Sequence, residues 1–349
     1  MSAASGAAIA QPAVTAIVLN YNGAELLDVV IPSLERQTYP NLSVILVDNG
    51  SSDGSADHAR ARWPQVRVGE IAQNVGVAGA LNRGILESTT ELVALLNNDI
   101  ELEPDWLERL VAGLLQHPEA ASASGKMLRF DERTVIDAAG DAMRWSSACT
   151  NRGAGETDEG QYDAPRPVFS ACAGAALYRR AAFDEVGLFD EDFFAYFEDI
   201  DWSLRAQLRR LGSWYEPAAV AYHKRGATTS GSRDRYRPLQ RRNQIWLVAK
   251  DYPGGMILRH LPKIVLLNLG LALQDMRQGA FRSTLRGWWD ALRGLPRVLR
   301  KRRRIQRART ADSAYLATVI SPEPWAEGTL RERARRTART IAPALSRKP

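Results

Sequence analysis

Residues 14–54 read VTAIVLNYNGAELLDVVIPSLERQTYPNLSVILVDNGSSDG, and the fold class follows from this stretch. Residues 14–19 are a β-branched and aliphatic run, stopped by Asn20, Tyr21, Asn22 and Gly23. The period then changes. Leu26, Leu27, Val30, Ile31 and Leu34 fall on one helical face at 3.6-residue spacing. Residues 44–47 form a second apolar run, ended by the turn-forming DNGSSDG. Strand, amphipathic helix and strand make a βαβ unit, which predicts a mostly parallel sheet with helices on both faces.

The pattern continues outward. Residues 66–71 predict a short strand, and Gly76 opens a helix after a glycine-rich turn. Residues 92–96 predict a third hydrophobic strand, closed by Asn97, Asn98 and Asp99. Asp105 then precedes a helix carrying Trp106, Leu107, Leu110, Val111 and Leu114. In such sheets ligands bind beyond the carboxyl ends of the strands. The first functional candidates are therefore Asn20 to Asn22, Asp48 to Asp53 and Asn97 to Asp99. Residues 140–170, rich in Gly, Ser, Asp and Pro, predict a flexible excursion.

Composition narrows the classes. The chain has 349 residues, 45% hydrophobic and 25% charged, which excludes collagen-like, coiled-coil and wholly disordered chains. Two cysteines, Cys149 and Cys172, exclude a disulfide framework and a multi-cysteine metal site. Cys172 reads as a small core residue. The net charge of +6 hides a division. Residues 1–230 hold 19 Lys+Arg against 32 Asp+Glu, and residues 231–349 hold 27 against 8. An acidic body thus carries a basic tail, the usual mark of a part that meets polyanions. The small residues 1–12 lack the basic and apolar regions of a signal peptide and predict a disordered start. The longest uncharged apolar stretch, residues 264–274, falls short of the ~20 residues of a membrane span. A cytoplasmic chain without a spanning helix is expected.

Several carboxylates stand out. Asp48 either presents a carboxylate to a base or sugar or simply makes a turn. Asp99, at the end of a buried strand, suits a hard divalent cation or caps the next helix. NVGVAGALNRG at 74–84 can turn backbone N–H groups toward a phosphate. FDEDFFAYFEDIDWSLR at 189–205 crowds six carboxylates between aromatics. Glu198 and Asp201 share a helical face, while Asp199 points elsewhere, toward Tyr196 and Phe197. An apolar setting raises a carboxylate's pKa and suits it to general-base work. The alternative is an acidic helix start favoured by the macrodipole. His223, beside Lys224 and Arg225, is either a metal or phosphate ligand or a structural histidine.

Taken in order, six segments resemble family 2 glycosyltransferases of the GT-A fold, especially the rhamnosyltransferase-like branch. They are VTAIVLNYNG, SLERQTYPNLSVILVDNGSSDGS, NVGVAGALNRGI, ELVALLNNDIELEPDWL, GAALYRRAAFDEVGLFDEDFFAYFEDIDWSLR and AVAYHKRGAT. The resemblance covers roughly residues 14–230 and implies an inverting, metal-dependent enzyme. Asp199 would be the general base. Thr15, Asn20, Asp48, Asn82, Gly84 and Asn98 would bind the nucleotide-sugar donor, with Asp48 reading its base. Glu198, Asp201 and Gly174 would meet the acceptor. Asp99 and His223 would hold a divalent cation, Mg²⁺ or Mn²⁺. The usual DxD motif here reads Asn97, Asn98, Asp99, so its first carboxylate is an amide. The implied reaction moves a sugar, rhamnose from dTDP-rhamnose first, UDP- or GDP-sugars next, to a glycan or lipid-linked glycan.

In the tail, Phe281, Leu285, Trp288, Leu292, Leu295 and Leu299 form an apolar helical stripe among arginines, and KRRRIQRAR follows at 301–309. Such a helix suits an anionic membrane interface; it could instead pack on the acidic body. No aromatic-basic recognition motif supports nucleic acid. The expected organisation is a disordered start at 1–12, then a GT-A catalytic domain at 13–230. Its nucleotide-sugar half spans about 13–125 and its acceptor half about 126–230. A basic amphipathic helical region at 231–310 and a partly disordered basic tail at 311–349 complete it. The expected location is the cytoplasmic face of the cell membrane, peripherally bound.

Overall fold

The computed structural model describes residues 11–226 and 233–321. Alternating strands and helices open the chain: β1 (Val14–Asn20), α1 (Ala24–Glu35), β2 (Leu42–Asp48), α2 (Ser55–Arg62), β3 (Arg67–Glu70), α3 (Gly76–Glu87) and β4 (Leu92–Asn97). Then come β5 (Ile100–Leu102), α4 (Trp106–Gln116), β6 (Ala120–Arg129), β7 (Ile136–Ala138), β8 (Asp141–Met143), β9 (Cys149–Asn151) and β10 (Arg166–Val168). The acidic segment lies among β11 (Ala175–Arg179), α5 (Arg180–Val186), α6 (Glu198–Gln207) and β12 (Gly212–His223). Four helices end the described chain: α7 (Arg233–Asp251), α8 (Gly254–Arg277), α9 (Phe281–Ala308) and α10 (Ser313–Val319).

The main sheet has ten strands, eight of them in the order β10-β12-β6-β11-β4-β1-β2-β3, with β5 on β12 and β7 on β6. β4, β1, β2 and β3 run parallel, β6 and β12 are parallel, and β11 reverses direction between β4 and β6. Every residue of β1 is buried, as expected of a strand covered on both faces. One core cluster joins α1 and α4 to one face of the sheet through Leu27, Ile31, Trp106 and Leu110. Another joins α3 and the acidic segment to the other face through Leu81, Ile85, Phe189 and Trp202.

Two expectations are corrected. Residues 140–170 are not one flexible loop: β8 and β9 pair as an antiparallel hairpin, and β10 extends the sheet edge. Met143 and Trp145 are buried against Leu247 and Tyr252 of α7 and its following turn, which removes the freedom that the composition suggested. The 264–274 stretch belongs to α8, which has 24 residues and is long and apolar enough to cross a membrane by length and composition. It meets its neighbours along one narrow face, with His260 stacked on Trp145 at 4.6 Å and Asp275 held by Arg237, Arg241 and Thr284, and leaves most of its leucines exposed. Residues 1–10 of the predicted disordered start and 322–349 of the predicted tail lie outside the described residues. Within the predicted tail, Ser313–Val319 is helical and buries Leu316.

The basic region divides its charge. α9 meets α7 through the small or short residues Thr284, Gly287, Ala291 and Val298. At Gly294 an added Cβ would stand 2.1 Å from the Trp246 ring, so this close approach requires glycine. The stripe read from sequence is not the buried face: Leu285, Leu292 and Leu299 remain exposed, as does Trp289. Several cations nevertheless pack on the acidic body. Lys250 pairs with Asp190 and Asp201, Lys301 with Asp190 and Asp192, and Arg297 with Asp192.

Candidate active site

A cleft of about 500 Å³ opens at the carboxyl ends of β1 and β4. One wall carries Leu19, Tyr21, Asn49 and Asn74; the other carries Gly174, Tyr196, Glu198 and Asp199; Asp99, Asp137, His223 and Arg225 lie between them. The parallel register explains the first wall, because Asn20 stands beside Asp48 and Leu19 beside Asn97. Three strand ends are tied by amides. Asn98 Nδ2 donates to Asn20 Oδ1 at 2.7 Å, and Asn20 Nδ2 donates to Asp48 Oδ2 at 2.9 Å. The other Asp48 oxygen accepts the Ser51 N–H at 2.9 Å. Asn20 and Asp48 are buried and do not line the cleft, whereas Tyr21, Asn49 and Asn74 do.

Asp99 and His223 meet across an antiparallel pair in which Ile100 faces His223. His223 Nε2 is 3.4 Å from Asp99 Oδ2. Asp99 Oδ1 is buried with no hydrogen-bond partner among the described residues. An orphaned carboxylate oxygen beside an imidazole nitrogen is a donor set for a divalent cation, and these residues fit one. Asp137, which the sequence did not single out, fixes the ring: its Oδ2 lies 2.7 Å from His223 Nδ1, while Arg225 holds its other oxygen at 2.6 Å. Burial alone would lower the imidazole pKa, but Asp137 and Asp99 outweigh it and raise it to about 9.

Asp199 enters the cleft from the first turn of α6. It forms a cluster with Asp141 and Cys172, with ligand atoms all within 4.8 Å of one another. Burial raises the Asp199 pKa, and the N–H groups of Ile200 and Ala173 oppose that rise. Burial and the Asp199 charge push Asp141 far higher. Of the two carboxyls, Asp141 is pushed further toward its neutral form, which leaves Asp199 the one better suited to base work. Burial pushes the Cys172 thiol well up, so Cys172 is a neutral cleft residue rather than a nucleophile or a core filler. Glu198 is buried with Oε2 unpartnered among the described residues, and burial plus the Asp199 charge raise its pKa.

The backbone before Asp199 is strained. Phe194, Tyr196 and Phe197 have φ values of 64°, 67° and 71°, where side chains other than glycine are disfavoured. The buried Asn243 of α7 holds this loop, its Nδ2 reaching the carbonyls of Phe193, Ala195 and Tyr196 at 2.9, 3.0 and 2.7 Å.

Six predicted site residues do not line the cleft: the buried Asn20 and Asp48, and Thr15, Asn82, Gly84 and Asp201. Thr15 is at the opposite end of β1, hydrogen-bonded to Thr90 at 2.8 Å. Asn82 faces away, donating to the Phe189 carbonyl and to Glu191. Gly84 is a packing glycine, since a Cβ there would stand 2.4 Å from Ile17 Cγ2. Asp201, fully buried, binds Arg205 at 3.0 Å and Lys250, and meets no open space. Gly174 does line the cleft, beside Asn97.

The family model described as Glycosyl transferase family 2 matches residues 15–187. The chain belongs to glycosyltransferase family 2. It is 27% identical over 242 residues to the N-acetylglucosaminyl-diphospho-decaprenol L-rhamnosyltransferase of Mycobacterium tuberculosis, covering 61% of this chain and 76% of that one. It is 24% identical over 260 residues to the poly-beta-1,6-N-acetyl-D-glucosamine synthase of Staphylococcus aureus, covering 73% of this chain and 60% of that one. In structure it resembles the mannosyltransferase PcManGT from Pyrobaculum calidifontis, solved with GDP-Man and Mn²⁺. The TM-score is 0.52 at 18% identity, over 85% of this chain and 86% of that one. GalNAc-T7, solved with UDP, GalNAc and Mn²⁺, gives a TM-score of 0.54 at 16% identity, over 69% of this chain; the match spans about half of GalNAc-T7, 48%. The fold of this glycosyltransferase is GT-A: a mixed sheet flanked by helices, with a C-terminal helical region.

Proposed function

We propose that this glycosyltransferase moves rhamnose from dTDP-rhamnose, with inversion, to a hydroxyl of a lipid-linked glycan in surface-polysaccharide synthesis. The observation that carries the reading is one cleft lined by both the Asp99–His223 pair and Asp199. The 27% identity to a rhamnosyltransferase supports the choice of sugar.

The donor occupies the wall of Leu19, Tyr21, Asn49 and Asn74, above the Asn98–Asn20–Asp48 chain that sets its shape. Asp99 and His223 would hold a divalent cation, which would supply positive charge to a departing diphosphate. Asp137 keeps His223 in position through Nδ1. Asp199 takes the proton of the acceptor hydroxyl as that oxygen attacks the anomeric carbon. Burial and the Asp199 charge push Asp141 toward its neutral form, which limits the charge around the base. Glu198 and Gly174 border the acceptor. With Asp199 acting on the acceptor, direct attack of the acceptor oxygen is a single displacement, which inverts the centre.

Membrane contact belongs to the same reading. On α8, Leu258, Leu261, Leu266, Leu269 and Leu273 are exposed, as are Trp289 and Leu292 on α9. Rows of exposed apolar residues beside arginines suit the interface of an anionic bilayer, peripherally and on the cytoplasmic side.

A thermal-shift screen of nucleotide sugars with Mg²⁺ and Mn²⁺ tests the donor. dTDP-rhamnose with a cation is expected to give the largest shift; a larger one with a UDP- or GDP-sugar would reject rhamnose. Flotation with phosphatidylglycerol liposomes tests the membrane contact, and equal, negligible binding to anionic and neutral vesicles would reject it.

A further inference from the structure

Beside the cleft runs a second groove, of about 830 Å³, between the acidic segment, α7 and α9. Phe194 and Tyr236 line both spaces, so the groove adjoins the cleft that holds Asp199. Tyr196 and Tyr236 meet edge to face at 5.6 Å and form an aromatic threshold between them.

Four arginines line the groove: Arg242, Arg282, Arg286 and Arg297. Two are already engaged. Arg242 donates to the carbonyls of Asp192 and Phe193, and Arg297 pairs with Asp192 at 2.7 Å. The other two are available. Arg286 reaches Asp290 only at 3.9 Å with its side chain 77% exposed, and Arg282 has no ion-pair partner among the described residues. They stand one turn apart on α9 and so project from the same side of the helix. Two guanidinium forks at that spacing match a compact phosphate or diphosphate. Glu191, Asp192 and Asp290 also line the groove and would repel an extended polyanion. The adjoining stripe of α9 carries the exposed Leu285, Trp289 and Leu292, which offers a place for hydrocarbon.

We propose that this groove binds the diphosphate of a lipid-linked acceptor, with Arg282 and Arg286 as its ligands. The terminal sugar then crosses the aromatic threshold toward Asp199, and the lipid lies over the α9 stripe. This rests on the reading of the chain as an enzyme with a lipid-linked acceptor and names where the acceptor's charge is held.

Farnesyl diphosphate, which carries no sugar and no nucleotide, is the probe. Calorimetric titration of the full chain is expected to show binding of farnesyl diphosphate and none of farnesol. The double variant Arg282→Gln/Arg286→Gln is expected to bind the probe at least about tenfold more weakly, as for two lost charge-assisted hydrogen bonds. Its melting temperature and its nucleotide-sugar thermal shift should match the wild type, since both side chains are exposed and neither lines the donor cleft. Unchanged probe affinity in the double variant would overturn the proposal. So would displacement of the probe by dTDP to the same extent in both proteins, which would assign it to the donor site. Loss of phosphatidylglycerol-vesicle binding with probe affinity intact would make the arginines a headgroup surface and would also overturn it. An arginine-dependent probe site in a chain that responds to no nucleotide sugar would support the groove while refuting the donor reading.

Discussion

Replacing Lys250 by methionine removes the central cation of the seam between the acidic body and the basic helices. Lys250 is 1% exposed, with Nζ 2.6 Å from Asp190 Oδ2, bonded to Asp201, and 4.7 Å from the centre of the Phe193 ring. Burial opposes its charge, but Asp201, Asp251 and Asp190 together raise its pKa. Methionine keeps the volume and deletes the charge. Removing one member of a buried ion pair costs about 3–5 kcal/mol, because the partner is left uncompensated. Here Lys301 still holds Asp190 and Arg205 still holds Asp201, which puts the cost at the low end, about 3 kcal/mol. With an unfolding entropy of roughly 2.1 cal/mol/K per residue over about 300 residues, the melting temperature should fall by about 5 °C. Urea unfolding and calorimetry at pH 7 measure both values. Asp201→Asn in the same background should cost less than the two single changes added together, since the second change removes the orphaned charge. A single variant within about 0.5 kcal/mol of wild type, or a double variant that is strictly additive, would refute the account of the seam.

Three further outcomes are expected. Lys250 and Lys301 outweigh burial and hold the Asp190 pKa well below the usual carboxylate range; its contribution to stability should be complete above about pH 4 and disappear as pH falls toward its folded value. An acid-unfolding series should show Asp190→Asn flattening that limb, and an unchanged limb would dismiss the effect. Asp137→Asn should weaken Mn²⁺-dependent donor binding by roughly 10–100-fold, the usual cost of losing a carboxylate behind a ligating histidine; calorimetry with and without Mn²⁺ checks it, and an unchanged affinity would contradict it. Asp199→Asn should lower transfer by about 10²–10⁴-fold while keeping nucleotide binding, so loss of nucleotide binding in a folded variant would sink the assignment.

The parallel part of the sheet was readable because burial on two faces writes itself into sequence as continuous apolar runs, whereas the edge strand β10 was not. Asp99, His223 and Asp199 were readable because each closes or opens such a run. Thr15 shows the limit: the strand was right, but the residue is five positions, about 16 Å, from the end that meets the cleft. Asp137 and Asp141 left no periodic trace, since each acts through a partner far away in sequence, His223 and Asp199. Asp141 lay within the segment whose composition predicted a loop. How the tail packs is not legible in the sequence, for a steric reason. Hydrophobic periodicity marks large side chains, while α9 packs through Gly287, Ala291 and Gly294, whose contribution is closeness rather than area.

Asn243 has a consequence for any shortened form of the enzyme. The loop that aims Asp199 is bent against its own backbone preferences, and the amide that holds it lies some 45 residues downstream, in a helix outside the family match at 15–187. A fragment ending at residue 232 would retain all twelve strands and most of the donor wall. It would lose the tether, and its aromatic loop would relax by about 1–3 kcal/mol for each left-handed residue. Such a fragment should bind nucleotide and transfer nothing. The smallest unit that can do chemistry is therefore longer than the smallest unit that resembles the family.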